Sequence, residues 1–148
     1  ISSARMRLQG YYDGLKLNDV PVRESYVLET NFKRSEDASE IAAWLEQLDP
    51  FPTAIVAGNN MLAVEVIRLL KAKGLRIPED VSIACFDELG PYSEVDPFLT
   101  VISQQAYQFG YLGMQMLIER IQNQGSEEPW KKIVLPSDLI IRRSVQPI

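Results

Sequence analysis

The residues able to do chemistry in this chain are few, and their types suit holding a ligand better than transforming one. Histidine is absent, which removes the usual general base near neutral pH and the commonest metal ligand. A nucleophilic serine therefore has no partner of the ordinary kind. No GxGxxG, GxxxxGK[ST], CxxC or GxSxG stretch occurs, so the dinucleotide, phosphate-loop, redox and hydrolase signatures are missing. The single cysteine, Cys85, allows no internal disulfide and fits a reducing compartment. Asp87 and Glu88 are adjacent, and at a strand end adjacent side chains point to opposite faces, a poor arrangement for a paired acid–base site. No catalytic residue, metal or cofactor is expected. What remains near the expected strand ends is Asn, Asp, Gln and Arg close to aromatic rings. Carboxylates accept from neighbouring hydroxyls, amides donate and accept, and a ring covers an apolar sugar face.

The elements that must position these groups alternate along the chain. Ser3 caps a helix whose apolar residues Met6, Leu8, Tyr11, Tyr12 and Leu15 lie opposite Arg5, Gln9 and Lys16. Gly10 and Gly14 share one face, where another backbone could approach. Asn18-Asp19-Val20-Pro21 ends this helix, and Tyr26-Val27-Leu28 reads as a short strand. Ser35 caps a second helix with an inner face of Ile41, Leu45 and Leu48, and Trp44 sits beside that face as core. The run 53–57 is continuously apolar, as in a strand covered on both faces. Gly58-Asn59-Asn60 forms a turn and cap before a helix over 61–73, stopped by Gly74. That helix has nearly two apolar stripes, so its outer side meets either another subunit or a long loop. Strands follow over 81–86 and 99–102. The helix over 105–123 has a narrow polar stripe of Gln108, Gln115, Glu119 and Gln122 and is apolar elsewhere. Two short strands close the chain, over 132–135 and 139–142. Strands alternating with helices predict an α/β fold with a mainly parallel sheet flanked by helices. Ligands bind such sheets at the carboxyl ends of the strands, which selects Gly58–Asn60, Asp87–Glu88 and Ser103–Gln105.

The bulk properties agree with a ligand-binding domain. The chain has 148 residues and 46% hydrophobic residues, enough for one domain with a core. Its formal charge is −5 and no basic block exceeds two residues, so it is not expected to grip nucleic acid itself. No apolar run approaches a membrane span. The chain begins Ile1-Ser2-Ser3 and not with Met, so a preceding segment is expected.

Several segments, in order and spacing, resemble the lactose-repressor/galactose-repressor family of transcription regulators. They are Ser3 to Tyr11; Pro52-Thr53-Ala54-Ile55 through Asn59-Asn60-Met61-Leu62-Ala63; Gly74-Leu75-Arg76-Ile77-Pro78-Glu79-Asp80-Val81-Ser82-Ile83; Phe86-Asp87; Pro97 to Ile102; and Leu135-Pro136 through Leu139-Ile140-Ile141-Arg142-Arg143-Ser144. The resemblance implies a type I periplasmic-binding-protein-like fold of two α/β lobes with a ligand cleft between them. This chain corresponds to most of the second lobe, over 1–103 and 124–148, while the helix 104–123 belongs to the first. It further implies a cytoplasmic homodimer that senses a small effector, a sugar above all, and meets operator DNA only through an N-terminal helix-turn-helix outside these residues. Ligand contacts carry over to Arg7, Phe32, Asn59, Asp87 and Gln104. In that scheme Arg7 and Asp87 hydrogen-bond hydroxyls, Phe32 stacks on the ring, and Asn59 and Gln104 fix orientation. Plainer roles stay open: Arg7 as a solvated helix residue, Phe32 as core, Asn59 as a helix cap only, Asp87 as a turn cap, Gln104 as a hinge. Asn60 stands where the family usually has Asp, Cys85 where it has Gly, and Glu65 where a small residue is common. A periplasmic sugar-binding protein feeding a transporter shares the fold and is the alternative reading.

Overall fold

The computed structural model describes residues 3–30, 37–90, 92–123, 129 and 131–147. Its helices are α1 (Ser3–Leu17), α2 (Asp37–Gln47), α3 (Asn60–Ala72), α4 (Tyr92–Val95) and α5 (Ala106–Gln122). Its strands are β1 (Ala54–Ala57), β2 (Ser82–Phe86), β3 (Thr100–Gln104) and β4 (Ser137–Ile140). They form one sheet in the order β1-β2-β3-β4. β1, β2 and β3 are parallel neighbours, with Ile55 opposite Ile83 and Cys85 opposite Val101. β4 runs antiparallel to β3, with Val101 opposite Ile140. The expected mainly parallel α/β fold is what the chain adopts.

The parallel order follows from the α3 crossover, since a parallel connection needs a covering helix. Asn59 caps α3 with its side-chain oxygen, which accepts from the Leu62 amide. Gly74 ends it at φ 77°, a left-handed conformation that glycine adopts at little cost. Ala63, Val66 and Leu70 of α3 pack with Ile41, Leu45 and Leu48, and meet Ile55, Ala57, Val81, Ile83, Cys85, Leu99 and Val101 from the sheet side. Trp44 packs against this core and donates its indole N–H to the Ser25 carbonyl at 2.9 Å.

Four expectations change. The run 53–57 is not covered on both faces: along β1 burial alternates, and Val56 remains 54% exposed. Tyr26-Val27-Leu28 is not a strand. A 3-10 turn spans Glu24–Tyr26, and side chains tie the segment down: the Tyr26 hydroxyl donates to the Pro50 carbonyl at 2.7 Å, and the Arg23 guanidinium lies over the Tyr26 ring. The stretch 132–135 forms no strand, and the last strand is 137–140 instead of 139–142. Past Ile140 side chains take over from the ladder. The Arg142 amide donates to Thr100 Oγ1 at 2.8 Å, and buried Ser144 accepts from the Thr100 amide and donates to the Ile83 carbonyl. Finally, nothing among the described residues lies within 4 Å of a side chain built at Gly10 or Gly14, so none of their backbone approaches that face.

α1 and α5 have no buried residue. No other helix or strand among the described residues packs against α5. No helix there is long and apolar enough to cross a membrane.

Candidate functional site

The carboxyl ends of β1, β2 and β3 meet at Asp87. The ladder carries one residue past β2, through the Asp87 amide to the Ile102 carbonyl at 3.1 Å. Asp87 then turns at φ 71°, a left-handed conformation that is uncommon for any residue with a Cβ. The turn presents its carboxylate to groups from two other elements. Gln104, at the end of β3, donates its amide N–H to Asp87 Oδ1. Arg7, from α1, forms an ion pair with Asp87 Oδ2 at 3.6 Å. The Arg7 guanidinium also donates to the Gly58 carbonyl just beyond β1 and sits 4.4 Å above the Phe86 ring, a cation–π arrangement. One arginine thus spans two strand ends, and its side chain keeps 21% exposure against 35% for that of Asp87. The result is a fixed array of donors and acceptors partly open to solvent and able to recognise hydroxyls.

Of the five sequence-predicted contacts, the structure brings Arg7, Asp87 and Gln104 into direct contact. Asn59 stands beside them in sequence terms, following Gly58, but its oxygen is used as the α3 cap, the plainer role left open for it. Phe32 lies outside the described residues. The plain reading of Arg7 as a solvated helix residue does not hold.

A second ion pair lies next to the first and was not anticipated. Arg142 donates twice to the Glu88 carboxylate, at 2.6 and 2.9 Å, and once to the Leu99 carbonyl at 3.0 Å. This bond holds Glu88 below the usual carboxylate range, against the opposing effect of burial. Asn60 completes the arrangement by donating its amide N–H to the Glu88 carbonyl at 2.7 Å. Period-two reading could have found Arg142: Ile140, Arg142 and Ser144 turn inward while Leu139, Ile141 and Arg143 are exposed. Phe86, which the sequence shows only as part of the Phe86-Asp87 segment, is the ring beneath Arg7. Buried Cys85 has its thiol pushed up to about 11, by burial first and then by the Asp87 and Glu88 carboxylates, so it is not a thiolate nucleophile near neutral pH. Among the described residues no cluster of His, Cys, Asp or Glu could hold a metal ion. An open concavity lined by Gln9, Tyr12, Asp13, Lys16 and Asp19–Val22 shares no residue with the Asp87 cluster.

This fold and strand-end cluster define a binding-protein-like domain, and comparison with known proteins agrees. The model of the periplasmic binding protein-like domain matches residues 2–145. The HTH-type transcriptional repressor PurR of Haemophilus influenzae (strain PittEE) is 33% identical over 149 residues, covering 99% of this chain and 44% of the repressor. A putative transcriptional regulator LacI from Bacillus cereus subsp. cytotoxis NVH 391-98 superposes with a TM-score of 0.84 at 32% identity, covering 96% of this chain and 49% of that one. A LacI family transcriptional regulator from Enterococcus faecium, solved with bound ribose, gives a TM-score of 0.79 at 30% identity, covering 98% and 52%. The chain belongs to the periplasmic binding protein-like domain family. It spans less than half the length of the curated repressor, 44%.

Proposed function

We propose that this chain is the greater part of one lobe of the ligand-sensing domain of a LacI-type transcriptional repressor. The observation that carries the reading is the Arg7–Asp87–Gln104 cluster at the carboxyl ends of three parallel strands, where open α/β sheets bind ligands. In the proposed arrangement Asp87 and Arg7 take hydroxyls of a small sugar, Gln104 and the free amide of Asn59 orient it, and Phe32 stacks on its ring. Ribose in the related Enterococcus faecium regulator supports a sugar as the effector class. The relatives are transcription regulators and not enzymes, and the groups gathered at the site are suited to hydrogen-bonding hydroxyls.

The second lobe comprises 1–103 and 124–148, and α5 belongs to a first lobe formed by the rest of the protein. An apolar helix without a buried residue supports that division. Effector binding closes the cleft between lobes and shifts a two-state equilibrium. In a cytoplasmic homodimer, that shift resets DNA-binding headpieces that lie outside this chain. The test is a thermal-shift screen of the full-length protein against pentoses, hexoses and nucleobases. A ligand at a hundredfold excess over its dissociation constant stabilises by about 2.7 kcal/mol. Arg7→Ala and Asp87→Ala are expected to erase the shift, and a shift that survives both removes this site.

A further inference from the structure

We infer that Asn60 and Arg142 are positioning residues for ligand recognition: by holding Glu88 at its carbonyl and its carboxylate, they fix the left-handed turn from which Asp87 faces the cleft. The inference rests on Asp87 being a ligand contact, as proposed above.

The turn needs such support. Asp enters the left-handed region more readily than most residues with a Cβ, as Asp19 also does at φ 55°, but at φ 71° Asp87 still depends on its surroundings to hold it there against the extended region. The backbone of Asp87 itself is held by its N–H, which donates to the Ile102 carbonyl at 3.1 Å, and by its carbonyl, which accepts from the Cys85 thiol at 3.5 Å. The contacts of its own side chain, with Arg7 and Gln104, are those a bound hydroxyl competes for, so they cannot be the permanent brace. Downstream the next residue is held twice. Arg142 grips the Glu88 carboxylate in a two-pronged bond while also anchored to the Leu99 carbonyl just before β3. Asn60 pins the Glu88 carbonyl from the first turn of α3. If Glu88 is released, residue 87 is free to relax toward the extended region, which swings its carboxylate away from Arg7 and Gln104.

Asn60 is the informative half of this brace. Its contact requires an N–H donor. An aspartate there, which the family pattern leads one to expect, has none and sets a charge against a carbonyl oxygen. Yet Asn60 opens α3 directly after its cap, where a carboxylate favours the helix. Asn60→Asp therefore separates two roles: it leaves or improves helix stability while removing the brace.

The experiment is Asn60→Asp in the full-length protein, with Arg142→Lys as a second variant that keeps the charge and loses the two-pronged grip. Hydrogen exchange over residues 84–90, read by mass spectrometry without ligand, is expected to accelerate about tenfold, the factor of one lost hydrogen bond. Exchange over 60–72 and 41–48 and the melting temperature stay at wild-type values in Asn60→Asp. Affinity for D-ribose, or for the sugar that most shifts the melting temperature, falls by a similar factor. Wild-type exchange over 84–90 overturns the inference, as does a loss of affinity matched by a general loss of stability. Failure of wild-type protein to bind any sugar or nucleobase counts against the proposed function alone, because the ligand-free exchange still decides the brace.

Discussion

α3 carries nearly two apolar stripes and α5 is apolar nearly all the way round, yet they end in opposite circumstances. α3 buries Ala63, Val66 and Leu70 between the sheet and α2. α5 buries nothing, and Tyr107, Phe109, Tyr111, Met114, Leu117, Ile118 and Ile121 all stand exposed. The difference is not one of composition. α3 follows β1 and must return to β2 in parallel, so its path lies across the sheet face. α5 leaves β3, and the chain comes back as an antiparallel neighbour of that strand, which places no helix on the core. Apolar surface on a helix reports that cover exists somewhere, and only the topology says whether this chain supplies it.

That contrast can be broken by substitution. Leu70→Ala removes a fully buried side chain and is expected to cost about 2–5 kcal/mol in urea unfolding of the 148-residue chain. Leu117→Ala, on a residue 53% exposed, is expected to stay within about 0.5 kcal/mol there. In the full-length protein, where the first lobe is proposed to cover α5, Leu117→Ala is expected to cost more than about 1 kcal/mol. Equal effects of Leu117→Ala in the two settings would break the lobe assignment.

A smaller effect contrasts the two kinds of ion pair. Arg142–Glu88 is half-buried and anchored to the backbone, whereas Arg76–Asp80 lies on the surface. The Arg76 guanidinium and amide nonetheless hold Asp80 at about 2, against its ordinary 3.8. A carboxylate depressed in the folded state adds stability above its ordinary value, and loses it as pH falls through the folded one. Between pH 3.8 and about 2 the wild-type chain should therefore lose stability more steeply than Asp80→Asn, in paired urea titrations. Parallel curves would show that solvent screening has cancelled the pair.

Most of the fold was legible because its signals are local. The apolar runs of β1, β2 and β3, the Asn59 cap and the Gly74 stop each depend on a few neighbouring residues. What was misread depends on distant partners. Val56 looks buried by its run but lacks cover on its face. Tyr26 to Leu28 has strand-forming residues, yet Tyr26 is anchored through its hydroxyl to Pro50. The site divides the same way. Asp87 and Gln104 follow from strand ends, while Arg7 rests on a family resemblance until the fold carries α1 across to Gly58 and Phe86. The Glu88–Arg142 pair joins residues 54 apart, and nothing near either one announces the other. Asn59 shows the limit from the other side: its capping role was visible locally, and its oxygen is used for that.

The proposed site stands on Asp87 as its ligand-reading carboxylate. Titration calorimetry of the full-length protein with the sugar that most raises its melting temperature tests this directly, comparing wild type, Asp87→Ala and the surface control Asp80→Ala. Asp87→Ala is expected to lose at least about tenfold in affinity, as for a charged hydrogen bond removed, and Asp80→Ala to lose none. Wild-type affinity in Asp87→Ala would contradict that role.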